Sequence, residues 1–325
     1  MHTALYRDIQ DRIQAAQHIL LLTDERIDGD TTGSILGLYH VLQDLGKKVE
    51  IFSPKPLPNY LKFIPGTESI QRDAKVFQQT SIDLAIICDC SDGEYIKAHL
   101  PTMPRPVPLI VFDHHATNPL YGTINVVERT AASTADVVWR FIKSTAWQVS
   151  PSAAQSILTG ICTDTVLFST TNTTTSALDA SAELVKFGAD LKVIVKNTLM
   201  NQSLGSLKLW GVAMERLAVD PDLQATVTVI TQQDIITAQA SEDDASGISG
   251  LLHALLNEQH EVVIVYRETS DGAVKGSIRS RGRDISKLAE KFGGGGHKLA
   301  AGFKVPNVKL TSQNGFWSID KNQTP

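Results

Sequence analysis

Short apolar runs alternate with helical periodicities along the first half of this chain. Residues 18–23, 48–52, 84–88 and 109–112 are compact apolar stretches bounded by polar or turn-forming residues. That is the pattern of strands buried on both faces. Residues 124–127 read as one more strand. Within 33–45, Ile35, Leu38, Leu42 and Leu45 recur at helical spacing, and Gly46 follows as a stop signal. Residues 132–143 and 152–163 also read as helices, the second opened by Pro151. Such alternation predicts an α/β domain with a mostly parallel, doubly wound sheet and helices on both faces.

The pattern changes near Phe187-Gly188-Ala189-Asp190. Residues 191–217 read as helix with a break around 201–205. Strands are expected at 225–230, 262–266 and 274–279, helices at 247–256 and 285–292, and a closing segment at 298–305. These shorter elements describe a second, smaller α+β domain. The expected boundaries are 1–190 for the sheet domain, 191–217 for a helical connection and 218–325 for the second domain. The tail beyond Val305 is polar and reads as partly disordered.

Composition narrows the class. A chain of 325 residues has room for two domains, each with its own core. The formal net charge of −5 argues against a broad surface for coating nucleic acid, and leaves room for a local basic pocket. No apolar run reaches the roughly 20 residues of a membrane span. Residues 1–17 are polar and lack a signal-peptide core, so a cytoplasmic location is expected. Cys88, Cys90 and Cys162 are too few and too unevenly placed for a disulfide framework. They flank Asp89 and Asp164 and read mainly as small buried packing residues, with metal binding the lesser alternative.

The candidate chemistry is acidic. Asp113-His114-His115 closes the apolar run 108–112. Asp24, Asp28 and Asp30 follow the first strand, Asp89 follows another, and Asp164 sits in Thr163-Asp164-Thr165. Carboxylates from separate strand ends converge on one crevice in an open α/β sheet. Such a cluster repels itself unless cations neutralise it. Taken alone, Asp28-Gly29-Asp30 also reads as a helix cap. Together these residues read as a metallohydrolase.

On these motifs the chain resembles the DHH phosphoesterases. Asp28 and Asp30 with Gly33-Ser34, the lone Asp89, Asp113-His114-His115 and Thr163-Asp164-Thr165 match that family's motifs in order. Gly293-Gly294-Gly295-Gly296-His297, followed by Ala300-Ala301-Gly302, resembles the DHH-associated substrate domain. The compact layout is most similar to the nanoRNase/pAp-phosphatase branch, which shortens very short RNAs and dephosphorylates 3′-phosphoadenosine 5′-phosphate. Four departures stand out. Asp24 occupies the position of the family's leading His, Ile27 that of a usual Pro, Thr31 that of a common Ala, and Val166 that of a common Gly.

The resemblance implies two divalent ions, Mn2+ first and Mg2+ as the alternative, bridged by Asp89. Asp24 and Asp28 complete the ligands of one ion; Asp30, His114 and Asp164 complete those of the other. It implies catalytic roles for Asp113, which orients a histidine, and His115, which contacts the substrate phosphate or leaving group. Substrate binding falls to His115, Arg279, Arg281, Gly294, Gly295, Gly296 and His297. The glycines expose backbone N–H groups, and arginine suits phosphate recognition. Taken alone, this segment also reads as a flexible loop beside a solvated edge strand. The expected partner is a short single-stranded oligoribonucleotide or nucleotide, with no long duplex and no membrane, and a homodimer stays open. Competing readings are a cyclic- or linear-dinucleotide phosphodiesterase, a polyphosphatase, and a nucleotide sensor without catalysis, for which Asp24 is the one supporting feature.

Overall fold

The computed structural model describes residues 3–25, 27–245, 247–257, 259–296, 298–313 and 316–321. The chain divides into two compact units, Met1–Asn201 and Gln202–Pro325.

The first unit is built on six strands: β1 (His18–Leu22), β2 (Lys48–Phe52), β3 (Ile70–Gln71), β4 (Leu84–Cys88), β5 (Leu109–Asp113) and β6 (Ile124–Val127). They lie in the order β3-β2-β1-β4-β5-β6, every pairing parallel. The expected α/β class and parallel sheet are therefore present. Alternate residues serve two cores. Ile19, Leu21, Ile86, Ile110 and Phe112 face one, while Leu20, Leu22, Ala85, Ile87 and Val111 face the other. Burial on both faces is why the strands carry continuous apolar runs.

The larger core is covered by α1 (Thr3–Ala15), α2 (Gly29–Asp44), α4 (Thr134–Ser144), α5 (Pro151–Asp164), α6 (Thr175–Lys186) and α7 (Leu191–Thr198). The short α3 (Glu94–His99) packs Tyr95 and Ile96 into the smaller one. Helix α2 begins earlier than periodicity predicts. Asp28 caps it by accepting from the Thr31 backbone N–H at 2.9 Å, so Gly29 to Thr32 are already helical. Gly33 is required by contact: a Cβ there would lie 2.4 Å from the Ser156 carbonyl oxygen of α5. The polar N-terminal segment is helical too. Its buried residues, Ile9 and Ile13, are four apart on one face, too sparse a stripe to stand out in sequence.

The second unit opens with α8 (Leu204–Glu215). Its sheet consists of β7 (Ala218–Asp220), β8 (Ala225–Ile230), β9 (Val262–Glu268), β10 (Ala273–Ser280), β11 (Gly295–Gly296) and β12 (Ala300–Pro306), in the order β11-β12-β10-β9-β8-β7. Among the described strands of this sheet, only β8 and β9 pair in parallel. Helices α8, α9 (Gln232–Thr237) and α10 (Ile248–Leu255) pack on Val263 and Val265. The short α11 (Ser286–Glu290) packs with Val262, Ile264 and Ile278 on the opposite face.

The polar tail is not irregular over its described length. β13 (Val308–Gln313) and β14 (Phe316–Lys321) pair antiparallel. Val308 and Leu310 alternate and bury against Val229 and Val274, while the Arg216 guanidinium lies 4.9 Å from the Trp317 ring centroid. Two buried apolar residues among polar ones carry too weak a period to read from sequence alone.

Candidate metal centre

The strand order places the site. Sheet connections leave β1 on both sides, toward β2 and toward β4, so a crevice opens at the carboxyl ends of β1 and β4. Asp24 follows β1, Asp89 follows β4, and Asp113 ends β5. Helix α2 enters from one side with Asp30, and α5 ends on Asp164.

Each carboxylate is held before any ion is considered. Asp30 sits against the start of α4, where Oδ2 accepts from Thr134 N at 2.7 Å and Oδ1 from Ala135 N at 2.8 Å. Helix N-termini favour such an anion. Asp89 is in the left-handed region at φ 62°, uncommon for a residue with a Cβ. The Thr31 hydroxyl donates to its Oδ2 at 2.7 Å, and the Thr134 hydroxyl to its Oδ1 at 2.9 Å. Asp164 Oδ2 lies 3.3 Å from the Asn172 amide nitrogen.

His114 is the hub. Its Nδ1 faces the Ala131 carbonyl oxygen at 3.4 Å, which favours the proton on that nitrogen. Its Nε2 stands 3.9 Å from Asp30 Oδ2, 3.8 Å from Asp89 Oδ1 and 3.8 Å from Asp164 Oδ2. These separations are too long for hydrogen bonds. They bring three carboxylate oxygens within 4 Å of one imidazole nitrogen.

His115 is fixed differently. Asp113, fully buried, accepts from His115 Nδ1 at 2.7 Å and from the His114 and His115 backbone N–H groups with the same Oδ1. Asn118 donates to Asp113 Oδ2 at 2.6 Å. Burial alone would raise the Asp113 carboxyl, but the hydrogen bond and charge of His115, with Asn118, hold it below the usual carboxylate range.

Electrostatics sets the metal-facing carboxylates apart. Burial first, and then repulsion from Asp89, Asp164 and Asp28, pushes Asp30 well above the ordinary value near 3.8. Burial and Asp28 do the same to Asp89, against a lowering pull from His114. Burial also raises Asp164. A cluster that resists losing its protons is one that divalent cations would relieve. Two sets of ligand atoms lie within 4.8 Å of one another: Asp89 with His114 and His115, and Asp30 with His114 and Asp164. Carboxylates with imidazole suit hard or borderline divalent cations, so the residues present fit divalent-metal binding.

The remaining site residues divide. Asp28 lies beside the cluster, raising Asp30 and Asp89, while also capping α2. Asp24 is buried; its Oδ1 accepts from Glu25 N at 2.6 Å and from the Cys90 thiol at 3.7 Å, and it belongs to neither ligand set. Burial and Asp24 push the Cys90 thiol up to about 11. All three cysteines are free and buried, the packing role read from sequence. Three successive residues after the site, Val166, Leu167 and Phe168, have φ of 45°, 54° and 66°. The left-handed backbone at Val166 is one that glycine adopts at no steric cost. Sequence reading missed Thr134, Asn118, Asn172 and the Ala131 carbonyl. Only Thr134 left a signal, as the residue after the Ser133 cap of α4.

In the second unit, Arg279 lies on β10 and its Nη1 donates to the Ile278 carbonyl at 3.1 Å. Arg281 falls just past the strand. Its Nη2 donates to the His253 and Leu256 carbonyls at 2.7 and 2.6 Å, closing the end of α10. Gly294 and Gly296 are required by packing: a Cβ would lie 2.1 Å from the Gly302 carbonyl oxygen and 2.6 Å from that of Ala300. Gly295 has open space at that position. His297 lies outside the described residues.

Comparison with known proteins agrees with this arrangement. Residues 18–161 match the model of the DHH family, N-terminal domain, and residues 229–314 match that of the DHHA1 domain. The bifunctional oligoribonuclease and PAP phosphatase NrnA of Thermus thermophilus is 31% identical over 293 residues, covering 90% of this chain and 85% of that protein. Its Bacillus subtilis namesake is 27% identical, covering 94% of this chain and 93% of the relative. A crystal structure of an exopolyphosphatase-related protein from Bacteroides fragilis superposes with a TM-score of 0.83 at 25% identity, covering 92% of this chain and 90% of the other. Sequence motifs, sheet topology and site agree: this chain belongs to the DHH family of phosphoesterases and joins a DHH domain to a DHHA1 domain.

Proposed function

We propose that this chain is a metal-dependent phosphoesterase that hydrolyses short single-stranded oligoribonucleotides and 3′-phosphoadenosine 5′-phosphate. The observation that carries the reading is His114 Nε2 standing 3.8–3.9 Å from carboxylates of Asp30, Asp89 and Asp164. The near full-length likeness to proteins named NrnA supplies the substrate class.

Two divalent ions, Mn2+ first, would be held by Asp30, Asp89, His114 and Asp164, with Asp28 and Asp24 as the further ligands the family resemblance implies. When bound, the ions supply Lewis-acid charge at the phosphoryl group. The chain's own residues do the positioning. The α4 N-terminus and two threonine hydroxyls fix Asp30 and Asp89, so the ligands need little reorganisation. Asp113 holds His115 with the proton on Nδ1, which makes Nε2 the nitrogen that would accept a proton from substrate or water. In the second unit, Arg279 and the open backbone at Gly295 serve substrate binding.

The test is turnover on ApA, 3′-phosphoadenosine 5′-phosphate, a 24-mer and polyphosphate, with Mn2+ or with chelator. Metal-dependent hydrolysis of the first two, with little on the others, is expected. Polyphosphate as the preferred substrate, or full activity in chelator, rejects the reading.

A further inference from the structure

A second hydrogen-bonded series of reactive side chains lies at the other end of the first unit's sheet. His18 opens β1 and is 3% exposed. Its Nδ1 stands 2.8 Å from the Ser81 hydroxyl, and its Nε2 3.1 Å from Glu50 Oε1. Parallel strands put their amino ends on one edge. These residues are therefore a strand length, about 13 Å, from the carboxyl ends that carry the metal centre. None of the three has a part in the chemistry assigned to that centre.

Each link is held from outside. Glu50, on β2, accepts from Gln71 Nε2 at 2.7 Å and from Gln79 Nε2 at 2.9 Å with Oε2, which leaves Oε1 for His18. A carboxylate only accepts, so the imidazole proton sits on Nε2 and Nδ1 receives the Ser81 hydroxyl. Burial first, then Lys48, holds the imidazole below the ordinary histidine value near 6.5, against raising pulls from Glu50 and Asp83. It is therefore neutral at pH 7 and able to take a proton. Asp83 fixes the entry to β1 by accepting from the Gln17 and His18 backbone N–H groups at 2.9 and 3.2 Å. A histidine that only joined strands would be served by any two partners inside the fold. Here one partner is the hydroxyl of an exposed serine. Arg105, before β5, is anchored beside it. Its Nε and Nη2 donate to the Ile82 carbonyl at 3.1 and 2.8 Å, and Nη2 lies 3.5 Å from the Ser81 carbonyl oxygen. Its Nη1 has no hydrogen-bond partner among the described residues.

A nucleophile, a base and an orienting carboxylate in series, with a cation beside the nucleophile, are the parts of a serine acyl-transfer centre. We propose that Ser81, His18 and Glu50 form a metal-independent nucleophilic site that cleaves small activated carboxylic esters, with Arg105 as the cation for the carbonyl oxygen. Ser81 Oγ bonds to the acyl carbon as its proton passes to His18 Nδ1. The ester C–O bond breaks, and the alcohol leaves with that proton. Water then attacks the acyl-serine, releases the acid and restores the hydroxyl. The site is independent of the phosphoesterase reading, because it uses neither the metal ligands nor the second unit.

The full chain in chelator, which silences metal-dependent hydrolysis, is mixed with p-nitrophenyl acetate. Release of p-nitrophenolate is followed by absorbance, and the acetylated residue is located by peptide mass spectrometry. A burst of about one equivalent per chain, with the acetyl group on Ser81, is expected, as acyl-enzyme accumulation gives. Ser81→Ala should abolish the burst; Ser81 is exposed, so the substitution leaves the fold in place. In Glu50→Gln the amide would donate to His18 Nε2 and move the imidazole proton to Nδ1, where it no longer accepts from Ser81. Acetylation of that variant should slow roughly 100-fold, the low end of positioned general-base catalysis. A merely structural tie between the strands predicts no such loss of rate. No burst in the wild type, a burst that survives Ser81→Ala, or an acetylation rate in Glu50→Gln equal to wild type overturns the proposal.

Discussion

The two units solve opposite electrostatic problems. The first gathers Asp30, Asp89 and Asp164 around one imidazole, the first two buried and the third partly so, and the result is a set of carboxyls raised by desolvation and mutual repulsion. The second sets Lys275 between Arg267 and Lys304 on a sheet face. Neither arrangement is favourable alone. The first is a charge pattern that divalent cations would relieve; in the second, Glu242 and Asp271 answer Arg267 and Lys304.

The largest expected effect breaks the first half of that comparison. Asp89→Asn should lower turnover by roughly 10³-fold, the scale seen when one preorganised electrostatic element is deleted. Removing a repelled charge should at the same time raise the melting temperature of the chelated protein above neutral pH. Steady-state kinetics and scanning calorimetry check the two parts; retained turnover would remove Asp89 from the centre.

A smaller effect is expected one layer out. The Thr31 hydroxyl donates to Asp89 at 2.7 Å. Thr31→Ala should weaken Mn2+ affinity about 10-fold, at the low end of the effect of outer ligand-orienting partners, and Thr31→Ser should restore it. Asp24→Ala should also weaken metal binding. If calorimetric metal titrations of the Asp24 variant match wild type, Asp24 is a partner of Cys90 and not a ligand.

The smallest effects sharpen the second unit. Gly294→Ala should destabilise that unit by about 1–3 kcal/mol through overpacking, because its Cβ would meet the Gly302 carbonyl. Gly295→Ala, with open space, should leave denaturant midpoints unchanged and affect only substrate affinity. Equal midpoint shifts in both would contradict the distinction between packing and ligand-facing glycines.

Much of this was legible in sequence. Strands buried on both faces announce themselves as apolar runs, so β2, β4 and β8 were read at their observed bounds. The acidic and histidine cluster was legible because its members close successive strands, whose carboxyl ends meet at one crevice in an open parallel sheet. Helices α1 and α6 were not. Ile9 and Ile13 in one, and Ala177, Ala180 and Leu184 in the other, are stripes too thin or too small-sided to stand out. The hydroxyls on Asp89 were invisible for a different reason. Thr31 and Thr134 come together only when α2 and α4 meet, and threonine at a helix start has an ordinary explanation as a cap. Arg281 was paired with Arg279 by strand alternation, but β10 ends at Ser280 and Arg281 turns to the end of α10.

The central claim is that the buried carboxylate cluster is a divalent-cation site, and thermal unfolding against pH tests it most directly. Folded-state carboxyls raised above the ordinary value near 3.8 keep protons that the unfolded chain releases. Their contribution is therefore full below about pH 4 and is lost as pH rises through the raised folded-state values. In chelator, the contribution of these groups to the melting temperature should fall on going from pH 5 to pH 8, and Asp30→Asn should flatten that fall. Mn2+ at 100 times its dissociation constant should add about 2.7 kcal/mol at pH 8. A chelated protein whose stability does not depend on Asp30 across this range, and which gains nothing from Mn2+, would contradict the account.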